Sequence, residues 1–393
     1  MERYRDFLEG TLHFYAWKEV SFRAVLAVLT SLLVSLVWGP KIIRWLIKMK
    51  VGDVPEFNHK DLNELTSHKE NTPTMGGLII LAGILLGMLM WADLRNPFVQ
   101  KGLFLLLWLG ALGGVDDYLK LTAKRKHRSR DGLHTWEKLI FQIGLGVLIA
   151  YFTFVVDFAQ LADGKMLWLP FYKFGINLDQ FGATLGLFCF SFMTVLVITG
   201  TSNAVNLTDG MDGLATGCMA IVSLVFVILC YFASEPLAAF YVREASGEVV
   251  RRTQYWAEYL MLPHIPRAGE LGILCAAIFG ACMGFLWFNC HPAQVFMGDV
   301  GSLPLGGMIG YAAVVTRHEF LLFIVGGVFV MEAISVILQV FYYKYTGGRR
   351  LFRIAPIHHH FHLGGWSEPQ VVVRFWLFGI ACAALALATL KLR

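Results

Sequence analysis

Ten stretches of this chain are apolar for close to the length of a bilayer crossing, at about residues 22–46, 73–91, 98–118, 136–156, 181–200, 211–233, 269–288, 302–316, 320–342 and 370–390. A helix needs roughly 20 such residues to span the hydrocarbon core, where every backbone polar group must find its partner inside the protein. The stretches are rich in Leu, Val, Ile, Phe and Gly and lack the strict alternation of a barrel strand. The expected fold is therefore an all-α polytopic membrane protein of about ten transmembrane helices, with residues 1–393 forming one membrane domain. Hydrophobic residues at 56% and charged residues at only 16% agree with a chain whose main solvent is lipid.

The opening MERYRDFLEGTLHFYAWKEV is charged throughout and holds no apolar run of signal-peptide type, so the first span is expected to act as its own address. Cys189, Cys218, Cys230, Cys275, Cys282, Cys290 and Cys382 show no paired spacing and read as reduced packing residues. An even number of spans puts both termini on one side. Lys and Arg are in slight excess in the loops that follow odd-numbered spans, and YLKLTAKRKHRSRDG, between the third and fourth, is the most basic. Those loops are assigned to the cytoplasm and both termini to the periplasm.

The polar motifs gather on that same side: HKENTPTMGG, GGVDDYLK, NAVNLTDGMDG, FNCHPAQVFMGDVGS and PIHHHFHLGGW. In GGVDDYLK, Asp116 and Asp117 are expected to end an apolar helix, where a carboxylate meets the unfavourable end of the helix dipole. Adjacent helical positions point about 100° apart, so one carboxylate can bind a cation while the other meets a substrate group. Asn203, Asn206, Asp209 and Asp212 follow at intervals of three and are expected to share a helical face, against the plainer reading of an Asx-rich turn. Asp299, between two glycines in FMGDVGS, reads either as a helix cap or as a ligand for Mg²⁺, which takes oxygen donors. Glu332 and Gln339 fall on one face of the ninth span; the plain reading of Glu332 is an interhelical hydrogen bond.

No H-E-x-x-H occurs, and no cysteine pair approaches ligand spacing, so the histidine cluster reads less well as a zinc site than as donors for anionic oxygens beside Arg349, Arg350 and Arg353. A solvated loop is the alternative. Carboxylates for Mg²⁺, basic donors and a membrane face together describe phosphate chemistry on a lipid. The P-loop motif G-x-x-x-x-G-K-[ST] is absent, so ATP hydrolysis is not the driver. A secondary transporter is the competing class, but it predicts sites at the bilayer midplane and internal repeats rather than motifs crowded on one face.

GGVDDYLK, NAVNLTDGMDGLA, FMGDVGSLPLGG and PIHHHFHLGGW, in that order, resemble the bacterial phospho-N-acetylmuramoyl-pentapeptide transferase family, within the polyprenyl-phosphate N-acetylhexosamine-1-phosphate transferase superfamily. The resemblance runs from about residue 20 to the C-terminus, and the triple histidine favours this branch over the N-acetylglucosamine one. It implies transfer of phospho-MurNAc-pentapeptide from UDP-MurNAc-pentapeptide to undecaprenyl phosphate, giving lipid I and UMP. It also implies a Mg²⁺ cofactor, a homodimer in the bacterial inner membrane, and no nucleic-acid partner. By motif, Asp299 would hold Mg²⁺, Asp116 would deprotonate or position the lipid phosphate, Asp117 would support it, and Phe296 would stack on uracil. Lys69, Thr74, Asn206, Asp209, Asp212, Asn289, Ser302, Gln339, His358, His359 and His360 would line the nucleotide and sugar-phosphate pocket.

Two features depart from the family's pattern. Asn71 stands where K-x-G-T-P-T-M-G-G has glycine, and Asn is among the residues that best tolerate a left-handed turn. The periplasmic loop over 234–268 is long for the family and reads as an amphipathic surface helix, a partner contact or a passive insertion.

Overall fold

The computed structural model describes residues 15–49, 72–126, 132–161, 163–169, 172, 175–243 and 249–390. The first six main helices are α1 (Val20–Lys48), α2 (Gly77–Trp91), α3 (Pro97–Lys126), α4 (Thr135–Tyr151), α5 (Ala183–Thr208) and α6 (Leu214–Ser234). Between α4 and α5 lie two-residue strands, β1 (Met166–Leu167) and β2 (Ile176–Asn177). After α6 come β3 (Pro236–Arg243), β4 (Val249–Tyr255) and the short α7 (Trp256–Leu260). The chain continues with α8 (Gly269–Asn289), α9 (Asp299–Val315), α10 (Glu319–Val325), α11 (Gly327–Tyr345), α12 (Ile357–His362) and α13 (Glu368–Thr389).

Among the described residues, eight helices are long and apolar enough to cross a membrane: α1, α3, α4 with its extension to Asp157, α5, α6, α8, α11 and α13. This makes the chain a polytopic, mostly helical membrane protein. The apolar helices α2 and α9 are shorter, with 15 and 17 residues. At 1.5 Å per residue they reach only about 23–26 Å, less than the ~30 Å hydrocarbon core. Irregular backbone at such depth must be satisfied within the protein. Here the segments that precede the two helices satisfy each other. Phe296 N–H donates to the Pro73 carbonyl, Gly76 N–H to that of Phe296 and Gly77 N–H to that of Met297, each at 2.8 Å.

Helix α8 packs against α1, α2 and α6, and α9 packs against α3 and α5, so these two helices form the centre of the bundle. Every residue of α9 is buried. Glycines set how close its neighbours come. A Cβ on Gly113 of α3 would collide with the Asp299 carbonyl, and one on Gly77 of α2 would collide with the Gly301 backbone. Small residues at these contacts allow backbone to meet backbone.

Three expectations are corrected. Helix α3 does not end at the aspartate pair but runs on to Lys126, because LKLTAKRK contains good helix formers and Lys120 pairs with Asp116 one turn earlier. The expected span over 320–342 is broken between α10 and α11 at Gly326 and Gly327, and a Cβ on Gly327 would come within 2.7 Å of Cys382 Sγ. The loop over 234–268 holds an antiparallel hairpin, with Phe240 opposite Arg252, rather than an amphipathic surface helix; its sequences FYVR and VVRRTQY favour strands.

Candidate active site

Asp116 is fully buried, and its carboxylate is saturated with donors. Oδ1 accepts Leu133 N–H at 2.7 Å. Oδ2 lies 2.7 Å from both Lys120 Nζ and Lys138 Nζ. The Lys138 ammonium also donates to Asp299 Oδ2 at 2.7 Å, while Lys120 is 3.4 Å from that same oxygen. Two cations from α3 and α4 therefore join carboxylates from α3 and α9 and offset their mutual repulsion.

The other Asp299 oxygen accepts Asn206 Nδ2 at 2.7 Å, and the same amide donates to Ser302 Oγ at 2.9 Å. Asp117, the second member of the pair, faces elsewhere. Its carboxylate accepts Asp299 N–H at 3.2 Å and Val300 N–H at 3.0 Å, which caps the first turn of α9. Gly298 makes that approach possible. Its φ of +72° is left-handed, and a Cβ there would come within 2.6 Å of Asp117 Oδ2 and 3.1 Å of Thr74 Oγ1.

The series at intervals of three divides where α5 ends, at Thr208. Asn203 and Asn206 lie on the helix, Asn203 donating to Gln142 Oε1 at 2.7 Å. Asp209 caps the helix end, hydrogen-bonds the backbone of Gly298 and is pushed up to about 7 by burial and by the Asp299 and Asp117 carboxylates. Asp212 lies in the following turn and so does not share a helical face with the others. Its Oδ2 is 3.0 Å from His291 Nδ1 and accepts Ala293 N–H at 3.1 Å, while its own N–H donates to Glu368 Oε1 at 2.8 Å. Asn289 stitches the same region. Its Oδ1 accepts Gly213 N–H at 3.1 Å and the Thr216 hydroxyl at 3.0 Å, and its Nδ2 donates to the Val295 carbonyl at 2.9 Å.

The histidine stretch forms α12 and packs on this turn: a Cβ at Gly210 would collide with His358 Nε2 and come within 3.3 Å of His359 Nε2. His360 faces the other way and accepts Arg353 N–H at 3.1 Å. Gln339 is not brought to the carboxylates. Its amide clamps the loop that follows α11 and leads to α12, with Oε1 accepting Leu351 and Phe352 N–H at 3.1 and 2.8 Å. Phe296 is half-buried beside Met297 and Gly298. Lys69 lies outside the described residues.

Asp116, Asp117 and Asp299 offer carboxylate oxygens within 4.8 Å of one another, an all-oxygen set of the kind that hard divalent cations take. A glycosyl transferase family 4 model matches residues 99–317, and a phospho-N-acetylmuramoyl-pentapeptide-transferase signature matches residues 69–81. The chain is 44% identical over 393 residues to the phospho-N-acetylmuramoyl-pentapeptide-transferase of Thermodesulfovibrio yellowstonii, covering 99% of this chain and 97% of the relative. The protein of the same name from Desulfotalea psychrophila is 43% identical over 380 residues, covering 97% of this chain and 96% of its own. This chain belongs to the phospho-N-acetylmuramoyl-pentapeptide-transferase family.

In this family member, motif reading missed several residues that the fold brings to the site. Lys120 and Lys138 are foremost. Lys120 was detectable as a cation four residues after Asp116 on one helix; nothing near Lys138 pairs it with Asp299, 161 residues away. His291 and Glu368, gathered on Asp212, were also missed, as was the bond between Glu332 and His358.

Proposed function

We propose that this protein transfers phospho-MurNAc-pentapeptide from UDP-MurNAc-pentapeptide to undecaprenyl phosphate, forming lipid I and releasing UMP. The observation that carries this reading is the buried Asp116–Lys138–Asp299 bridge, together with a cavity of about 360 Å³, its walls almost wholly apolar, that lies further along α5 and α9. Thr201, Ala204 and Val205 of α5, Gly306 of α9 and Phe329 and Ile337 of α11 are among its lining residues. Asn206, which donates to both Asp299 and Ser302, directly follows Val205, and Ser302 lies one turn before Gly306. A polyprenyl chain suits the cavity, and its phosphate then lies near the two lysines.

In the reaction an oxygen of the lipid phosphate attacks the sugar-bearing phosphorus of the diphosphate. The bond from that phosphorus to the oxygen bridging to the uridine-linked phosphate breaks, and UMP leaves with that oxygen. Catalysis of this kind consists mainly of positioning and charge neutralisation. Lys120 and Lys138 neutralise the incoming phosphate, and Asp116 holds them in place. Mg²⁺, held by Asp299 with Asp117 and Asp116 near, would supply charge stabilisation on the diphosphate. Asp209, Asp212, Asn289 and Thr74 shape the nucleotide side, with Phe296 against uracil, and His358 and His359 donate to anionic oxygens, while His360 holds the Arg353 backbone. Gln339 acts here by holding the loop that carries the histidines.

Direct attack is favoured over an aspartyl-phosphate route. The carboxylates of Asp116 and Asp117 each accept hydrogen bonds at both oxygens, and Asp299 is bound by Asn206 and Lys138. A carboxylate so engaged is a weak nucleophile. The protein is further proposed to act as a homodimer in the inner membrane, with both termini periplasmic and the site facing the cytoplasm. Purified protein in detergent with undecaprenyl phosphate and Mg²⁺ tests the reading. UMP release with UDP-MurNAc-pentapeptide and not with UDP-GlcNAc supports it; release with UDP-GlcNAc alone moves the chain to the neighbouring branch.

A further inference from the structure

A carboxylate inside an apolar span is costly to keep and is retained where it fixes something. Glu332 is fully buried in α11, and its Oε2 lies 3.0 Å from Nδ1 of the equally buried His358. One turn later Ser335 accepts Ile357 N–H at 3.0 Å and donates to the Glu332 carbonyl at 2.7 Å. The same face of α11 then carries Gln339, which holds Leu351 and Phe352. This polar stripe fastens the chain from the end of α11 to α12. Only Glu332 reaches past the backbone to an imidazole. The opposite edge of that ring, Nε2 and Cε1, lies against Gly210, between Asp209 and Met211 of the site turn.

From this geometry we infer that Glu332 is a positioning residue for the transfer reaction, fixing the protonated nitrogen and ring plane of His358 so that its Nε2 edge faces the Asp209–Met211 turn of the site. The inference rests on the function proposed above. A carboxylate on Nδ1 holds a proton there, so Nε2 is the nitrogen left to face the substrate, and it donates to an anionic oxygen when the ring carries both protons. A ring held only by packing, among the apolar side chains of a membrane bundle, has no such constraint. His359, whose ring centroid is 4.1 Å from that of His358, is then oriented by the same carboxylate at one remove.

The experiment is steady-state UMP release by wild type, Glu332→Gln, Glu332→Asp, His358→Ala and the Glu332→Gln/His358→Ala double variant, with Ser335→Ala as the control for loop anchoring. Glu332→Gln should lower kcat by about 10- to 100-fold, by analogy with removing the carboxylate behind a metal-bound histidine. The KM for undecaprenyl phosphate should not change, and Glu332→Asp should recover part of the loss. On the His358→Ala background Glu332→Gln should cost nothing more, because the two residues act as one unit. Ser335→Ala should lower kcat far less than Glu332→Gln, because its two neutral hydrogen bonds, to Ile357 N–H and the Glu332 carbonyl, only anchor the loop. Wild-type kcat in Glu332→Gln, multiplied losses in the double variant, or an equal loss in Ser335→Ala would each overturn the inference. If Glu332→Gln does not yield folded protein, Glu332→Asp provides the same comparison. No UMP release by wild type would instead sink the proposed function itself.

Discussion

The carboxylate of Asp117 caps the helix that begins with Asp299, accepting the N–H groups of Asp299 and Val300 at 3.2 and 3.0 Å. Two of the three site carboxylates are thus linked through backbone, and the third, Asp116, joins Asp299 through Lys138. Asp117→Ala removes a cap from a helix start buried in the bundle. It should lower stability by about 0.5–2 kcal/mol, the range for lost N-caps, and also reduce UMP release. A melting temperature equal to wild type would show that α9 does not depend on Asp117.

Lys138 is the cation shared by Asp116 and Asp299, at 2.7 Å from each. Lys138→Met should lower turnover by about 100-fold or more, comparable to losing one donor from a preorganised charge-stabilising site. Lys138→Arg should not restore full activity, because a planar fork replaces a point charge. Rates within a few-fold of wild type in Lys138→Met would confine the residue to a structural role.

Asp299→Asn keeps the side-chain volume and the bond from Asn206 open to an amide oxygen, so the protein should remain folded. Turnover should nonetheless be abolished, since the charge facing Lys138 and any divalent cation is lost. Near-normal UMP release would remove Asp299 from the metal role.

Asp209 is raised from 3.8 to about 7 by burial and by the neighbouring Asp299 and Asp117 carboxylates. Because the folded state binds this proton more tightly than the unfolded one, the stability it contributes is complete below about 3.8 and is lost as pH rises through about 7. The Asp209→Asn variant has no charge to acquire. Its melting temperature relative to wild type should therefore climb between about pH 4 and pH 8. A constant difference over that range would show that Asp209 titrates normally.

Gly113→Ala places a methyl group against the Asp299 carbonyl. Overpacking at a backbone contact costs about 1–3 kcal/mol, and relief requires α3 to move away from α9. That movement carries Asp116 and Asp117 away from Asp299, so UMP release should fall more steeply than the melting temperature. An active, fully stable Gly113→Ala variant would show that the helices have room to spare.

Much of the architecture was legible in the chain, because in lipid a helix is the economical way to satisfy backbone groups and its apolar length is written in consecutive residues. The breaks were harder to read. The Asp116–Asp117 pair looked like a helix end since polarity rises there, yet the helix continues for nine residues beyond Asp117 to Lys126 on local propensity and the Asp116–Lys120 pair. Gly326 and Gly327 lie in an apolar run whose composition does not distinguish a break from a continuous span, and only the packing of Gly327 on Cys382 marks the break.

By itself the sequence determined the membrane class, the inventory of carboxylates and histidines, and the family, since each of these depends on residues close together or in a fixed order. Which groups meet was decided only in three dimensions. Asp117 and Asp299 are 182 residues apart, Lys138 and Asp299 161, and Glu332 and His358 26. The physical reason is that buried charges must be paired or capped, and the partner is chosen by helix packing, through contacts such as that of Gly113 in α3 against the start of α9, rather than by any spacing along the chain.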